Sequence, residues 1–366
     1  MSFKKKIRIL FEPLDMTINK ILVVPLRYIG DTILTVPLIR ELHRQIPDAR
    51  IDVLCSKTAA PLLEPCPYIH QLIIEPKGLI KNLDLLKQGQ YDAIFILRKS
   101  FTLAMLARLA GIPVRVGYDK QRFPKPINYK RWGLFLTRTF PYPSLRTETH
   151  QVDSHLQFLK ALLAVSVSVG DGLELWSTQE DGQALDKILQ QEGITFDQPI
   201  AVLHAASASH GKAIELSKFA ESLKLLCENG FQILATGTQA DDKAYQQLKR
   251  DYLLPLTILA GKTTLRETFA LYQRTQLLLS VDSSPIHIGA AADIPKIVGV
   301  FGPTNHRQWA PYFGSKAEAQ ATKRFFPVYI DLECRPCYAK VCSHNNCKEL
   351  LTAGQITLAV KQAISS

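Results

Sequence analysis

ILVVPLRYIGDTILTVPLIRELHRQIPDARIDVL, residues 21–54, decides the fold. Ile21-Leu22-Val23-Val24 is a short unbroken apolar run, the pattern of a strand with both faces covered. The period then changes. Ile33, Leu34, Leu38, Ile39 and Leu42 recur every three or four positions, which predicts a helix with Pro37 as an irregularity in it. Ile51–Leu54 restores the strand pattern, and strand, helix, strand with apolar strands is the parallel βαβ unit. The alternation continues with a strand at Tyr91–Leu97 and a helix at Phe101–Ala110. It weakens between Ser166 and Gln198 and then restarts. Strands are expected at Ile200–His204, Phe231–Ala235, Leu277–Asp282 and Ile297–Phe301, with helices at Ser217–Glu228 and Thr264–Gln273.

Two doubly wound α/β halves are therefore expected, which suits 366 residues at about 100–200 per domain. The expected organisation is a basic extension over 1–19, a Rossmann-like domain over 20–175, a connector over 176–198, a second Rossmann-like domain over 199–350 and a last helix over 351–366. Ligands of such sheets bind beyond the carboxyl ends of the strands, so the cleft between the halves is where a site belongs.

An apolar share of 46%, with only 19 Gly and 21 Pro, excludes disorder and collagen. No uninterrupted apolar run approaches the roughly 18–20 residues of a membrane span. Arg8 and Glu12 cut the apolar part of the N-terminus below that of a signal peptide, so a cytoplasmic location is expected. Seven cysteines without a secretion signal argue against a disulfide framework. The net charge of +11 is uneven: between Arg98 and Arg138 ten basic residues face one acid, Asp119. Such a segment is either a solvated charged face or a surface for a polyanion: nucleic acid, an anionic membrane or a phosphorylated glycan.

Three strand-end loops carry residues suited to chemistry. In Pro25–Thr32, Gly30 allows close backbone approach, and Asp31 is placed at a helix N-cap, where it either only caps or serves as a general base. Ala205–Lys212 is nearly a phosphate loop, but Ala206 replaces the first glycine and Ala213 the hydroxyl residue that would hold magnesium. Its small residues, Ser207 and Lys212 still suit an anion, as they also suit an ordinary polar turn. In Val281–His287 a strand ends at Asp282, Ser283 and Ser284 follow, and Pro285 opens a helix whose amides and dipole would favour phosphate, with His287 one turn in. His287 is equally readable as a structural histidine. No GxGxxG follows either first strand, and no HExxH, GxSxG or kinase signature appears.

In order and spacing these phrases resemble glycosyltransferase family 9, the lipopolysaccharide heptosyltransferases. Residues 21–54 resemble the family's opening strand, Gly-Asp loop and helix, and VLHAASASHGK (202–212) the loop and lysine opening its second domain. LAGKTTLRETFALYQRTQLLLSVDSSPIHIGAA (259–291) and VFGPTNHRQWAP (300–311) resemble its Asp-Ser/Thr-Gly-Pro-x-His and Phe-Gly-Pro-Thr stretch. Departures are Ser284 in place of glycine, Ile214-Glu215 in place of Trp-Pro, and Asp241 in place of the glutamate that contacts the donor ribose.

The resemblance implies a GT-B fold, with the acceptor on the N-terminal domain, the nucleotide sugar on the C-terminal one, and the last helix crossing back to the first domain. It implies inverting, metal-independent and cofactor-free transfer of heptose from ADP-heptose to a lipopolysaccharide core. Asp31 would then be the base. Ser207, Lys212, Asp241, Asp282, Ser283, Ser284 and His287 would bind the donor, and Gly30, Arg27, Lys120 and Arg122 the acceptor. A diphosphate leaving group calls for positive potential and aimed donors, which these residue types provide. The basic segment, with Lys4–Lys6 and Arg8, would hold the protein peripherally on the anionic inner face of the inner membrane.

Cys334, Cys337, Cys342 and Cys347 lie within fourteen residues, the content of a structural zinc site but not the spacing of paired C-x2-C knuckles; reduced structural thiols are the other reading. Alternatives to heptose transfer are another nucleotide sugar and a nucleotide-sugar-binding protein without turnover. A nucleic-acid partner is not expected, because aromatic-basic RNA signatures and zinc-finger spacing are absent.

Overall fold

The computed structural model describes residues 18–119, 134–141, 143–144, 146–163, 171–207, 211–314, 323–339, 342 and 346–366. Most of the 1–19 extension, and Lys120 and Arg122, lie outside them.

The first half carries strands β1 (Lys20–Val24), β2 (Arg50–Cys55), β3 (Gln71–Ile74), β4 (Ala93–Ile96), β5 (Val114–Asp119) and β6 (Arg138–Pro141). Its helices are α1 (Ile29–Ile33), α2 (Val36–Gln45), α3 (Ala60–Leu63), α4 (Leu79–Gly89), α5 (Phe101–Leu109) and α6 (Gln151–Leu163). Helix α7 (Gln179–Gln191) follows, and the second half carries β7 (Ile200–His204), β8 (Gln232–Ala235), β9 (Leu256–Ile258), β10 (Leu277–Val281), β11 (Lys296–Val300) and β12 (Phe325–Val328). Its helices are α8 (Ala220–Glu228), α9 (Asp242–Tyr252), α10 (Leu265–Tyr272), α11 (Ser284–Ala291) and a C-terminal helix, Ala353–Ser365.

The two sheets are parallel throughout and repeat one topology. Their orders are β3-β2-β1-β4-β5-β6 and β12-β11-β10-β7-β8-β9. Both are the doubly wound order in which connections run one way from the first strand and then the other, which opens a crevice beside that first strand. Those switch points lie between β1 and β4 and between β7 and β10. The strands are apolar because helices cover both faces: Ile21 to Val24 are fully buried, as are Leu277 to Leu279. Each such side chain contributes about 1.5–3 kcal/mol on burial.

One core cluster joins the halves. Ile33, Leu34, Leu62, Val152 and Leu156 of the first half pack with Phe269, Leu278, Ile286 and Phe301 of the second. The chain between the halves is fastened by Arg40, buried in α2, which donates to Glu174 at 2.6 Å and to the carbonyls of Gly172 and Asp171.

Four details differ from the sequence reading. Pro37 starts a helix rather than distorting one: α1 ends at Ile33 and α2 begins at Val36, with Pro37 in its first turn, where a missing N–H costs nothing. The expected connector 176–198 holds α7, which Thr178 and Asp181 open with a capping box. The C-terminal helix, expected to cross back to the first half, packs among the described residues on the second. Its apolar stripe, Ile356, Ala359, Val360 and Ala363, is buried with Leu223, Val298, Val300 and Val328, so it covers the second sheet. The basic segment is not all a solvated face either. Arg98 is buried and bound to Glu75, and Arg115 donates to the carbonyls of Ile112, Pro113 and Phe135.

Candidate active site

The loops after β1, β7 and β10 meet where the two crevices face each other. Helices α1 and α11 touch at Gly30: a Cβ there would lie 2.9 Å from Cδ2 of His287 and 3.4 Å from Cα of Ser284. Only glycine lets the two halves approach this closely, so Gly30 has a packing role.

Asp31 is half-buried in the first turn of α1. It is not the N-cap, as the sequence reading had it; Tyr28 is. Burial pushes the Asp31 carboxyl up to about 7 from an ordinary 3.8, and the neighbouring Asp282 carboxylate pushes the same way. The Lys212 ammonium and the Tyr28 backbone oppose the rise. A carboxyl with that pKa is poised to take up or release a proton near neutrality.

Across the gap, Lys212 Nζ lies 2.9 Å from Oδ2 of Asp282, a carboxylate only 3% exposed at the end of β10. Thr304 also donates its hydroxyl to that oxygen. Asp282 thus holds the lysine. Ser283, the N-cap of α11, turns its hydroxyl back to the Val281 carbonyl, whereas Ser284 begins the helix with the first-turn amides. His287 is 4% exposed, and its Nδ1 has no hydrogen-bond partner among the described residues. Burial, then His150 and Lys212, depress its pKa to about 3, so it is a neutral donor or acceptor and adds no positive charge.

The remaining expected residues are more dispersed. Arg27 is exposed on the loop after β1, and Ser207 follows β7. Asp241 accepts from the backbone N–H and the hydroxyl of Thr238, both at 2.7 Å, which commits Oδ2 to a local cap; Gly237 makes room for it. The four cysteines lie on the segment that follows β12. No three His, Cys, Asp or Glu side chains among the described residues form a group that could hold a metal ion. Burial raises the Cys347 thiol, with the other three cysteines acting in the same direction.

Two residues of the site have no sequence signal. His150 opens the segment into α6; its Nε2 donates to the Ala310 carbonyl at 2.9 Å and Nδ1 accepts from the Val152 N–H. Its ring packs on Tyr312 and it is kept neutral by burial beside His287. Arg335 lies inside the thiol cluster. Its buried guanidinium donates to the carbonyls of Gly302 (2.6 Å), Thr304 and Ile330 (both 2.9 Å) and stacks over Tyr329. It therefore fixes the loop whose Thr304 holds Asp282, which in turn holds Lys212.

The profile of glycosyltransferase family 9 (heptosyltransferase) matches residues 80–347. The chain belongs to that family. Family 9 membership makes it a glycosyltransferase. It is 29% identical over 302 residues to a lipopolysaccharide heptosyltransferase 3 of Escherichia coli, covering 78% of this chain and 84% of that one. It is 27% identical to a lipooligosaccharide heptosyltransferase 2 of Haemophilus ducreyi over 310 residues, 78% and 84% of the two chains. The solved family 9 glycosyl transferase of Veillonella parvula superimposes with a TM-score of 0.79 at 21% identity, over 97% of this chain and 100% of that one. The E. coli heptosyltransferase WaaC with ADP superimposes at 0.66 with 20% identity, over 94% and 99%. The two facing Rossmann-like halves are thus a GT-B fold.

Proposed function

We propose that this family 9 enzyme transfers a heptose from ADP-heptose to a sugar hydroxyl of a lipopolysaccharide core, with inversion and without a metal. The observation that carries the reading is the confrontation of Asp31, on one half, with Lys212 and His287 on the other. The acceptor oxygen attacks the anomeric carbon as its proton passes to Asp31, and the bond from that carbon to the diphosphate breaks. The electron pair leaves with ADP. Lys212, the Ser284 amide and His287 stabilise the departing oxyanion, a task that preorganised donors in a partly dry cleft perform well. One displacement needs one base and inverts the centre. The mixed relatives support the donor: a solved one is described with ADP-2-deoxy-2-fluoro heptose.

Arg27 and the segment containing Lys120 and Arg122 are proposed to meet the acceptor, and the basic extension an anionic inner-membrane surface. No helix among the described residues is long and apolar enough to cross a membrane. The test is a screen of nucleotide sugars for acceptor-dependent release of the nucleoside diphosphate. Release from ADP-heptose alone among them is expected. Release only from another nucleotide sugar would replace the donor, and binding without release would leave a sugar-nucleotide-binding protein.

A further inference from the structure

The two halves share an apolar cluster, but apolar contact is non-directional and does not fix the angle at which Asp31 stands over Lys212. A directional contact lies at the start of α6. Gln151, the first residue of that helix, and Gln308, on the loop after β11, bind each other twice. The Gln151 backbone N–H donates to the Gln308 carbonyl at 3.0 Å, and Nε2 of Gln308 donates to Oε1 of Gln151 at 2.9 Å. Gln151 is fully buried and Gln308 is 3% exposed.

The neighbours of the pair set its direction. The indole Nε1 of Trp309 can only donate, and it donates to the Tyr338 hydroxyl oxygen at 2.8 Å. Tyr338 turns its own hydrogen to Oε1 of Gln308, also at 2.8 Å, which leaves Nε2 of Gln308 facing Gln151. Oε1 of Gln151 accepts that bond, so its Nε2 points at Nε2 of His155, 3.3 Å away. His155 then carries its hydrogen on Nδ1, 2.9 Å from the Tyr118 hydroxyl near the end of β5. Burial, then His150, depresses the His155 pKa to about 3, so the ring stays neutral. Donor meets acceptor at every link of this chain, and a buried network so satisfied admits one arrangement.

Each partner leads to one of the reacting groups. Thr304, earlier on the Gln308 loop, donates to the Asp282 carboxylate that holds Lys212. Val152 and Leu156, which follow Gln151 in α6, pack in one cluster with Ile33 and Leu34 beside Asp31 and with Ile286 of α11. Asn305 and Tyr312 brace the same contact through the Thr147 carbonyl at 2.7 Å and Asp153 at 2.8 Å. We propose that Gln151 and Gln308 are a positioning pair for the transfer: they set the register of the two halves and so hold Asp31 of one over Lys212 of the other. This rests on the reading of Asp31 as the base. A misplacement of about 1 Å at the reacting atoms costs on the order of 100-fold in rate, so such a pair is visible in kcat.

The test compares the full chain with Gln151→Met, Gln308→Met and the double variant, because methionine keeps the length and removes the side-chain bond. Asp31 faces Lys212 and Asp282 of the second half and the Tyr28 backbone of its own loop, and burial outweighs them all in raising its pKa. Loosened halves let water reach it. The pH at which the stability gain of Asp31→Asn levels off in urea unfolding, read without substrate, is therefore expected to fall by about 1 unit in each variant. With ADP-heptose and acceptor, kcat is expected to fall about 10-fold or more, while ADP affinity stays within about 3-fold. The double variant is expected to match the worse single one within about 3-fold, since either change removes the same pair. Tyr338→Phe, which only releases the Gln308 amide, is a milder variant expected to move kcat and the levelling pH in the same direction. Folded variants with a lower Tm but unchanged kcat and levelling pH would overturn the proposal and leave the pair structural, as would losses that multiply in the double variant. A shifted levelling pH in a protein that turns over no nucleotide sugar keeps the pair and rejects the transferase reading. Heptose transfer unaffected by all of these changes keeps that reading and rejects the pair.

Discussion

Replacing Asp31 by Asn should make the protein more stable while removing its base. The folded chain holds the Asp31 proton to about pH 7, whereas an unfolded carboxyl releases it near 3.8. Because the folded state binds the proton more tightly, the wild type loses stability as pH rises from about 3.8 to about 7, and loses no more above that. At about 1.4 kcal/mol per pH unit the full cost is at most about 4 kcal/mol. Asparagine is nearly the same shape and does not titrate. The gain in Asp31→Asn should therefore be near zero at pH 4, grow through pH 5 and 6, and level off at about 2–4 kcal/mol above pH 7. Urea unfolding across that range measures it, with transfer activity followed in the same samples. A variant that is less stable than wild type at pH 8, or whose difference does not change with pH, would refute the burial argument.

Other substitutions test the contacts that shape the cleft. Gly30→Ala places a methyl group 2.9 Å from the His287 ring and should cost about 1–3 kcal/mol, read by thermal unfolding, with a larger loss of transfer because the halves are pushed apart. Lys212→Ala leaves the buried Asp282 carboxylate without its cation; ADP titration should show at least 10-fold weaker binding and urea unfolding a loss of about 1–3 kcal/mol. Arg335→Met frees three backbone carbonyls, and should destabilise the fold by about 3–5 kcal/mol and weaken ADP through the Thr304–Asp282–Lys212 chain. Binding to anionic vesicles should fall steeply between low and physiological salt, as sedimentation would show; binding indifferent to salt would remove the membrane contact.

What the sequence shows depends on the range of the forces involved. Periodicity is local, so the strand at Ile200–His204 was legible residue by residue and the βαβ opening in outline. Short or partly exposed strands such as β3 and β9 carry few apolar residues and were not. Nor was α7, whose Thr178–Asp181 box was the available signal in a stretch weakened by glycine. The Gly-Asp pair, Lys212 and His287 could be picked out because their loops follow strands, but their roles depend on partners far along the chain. Gly30 meets a ring 257 positions on, and Asp282 turns out to restrain Lys212. Arg335 was hidden inside a cysteine cluster that drew the eye to metal. The path of the C-terminal helix depended on which core its stripe would join, and Leu223 and Val298 gave the nearer one.

The most direct test is the pH dependence of kcat/KM for ADP release from ADP-heptose in the presence of core acceptor. The account predicts a wild-type profile rising through an ionisation near pH 7, the value the buried Asp31 carboxyl holds, and an Asp31→Asn rate at least 100-fold lower with that rise gone. An Asp31→Asn enzyme that keeps the wild-type rate and profile would contradict it.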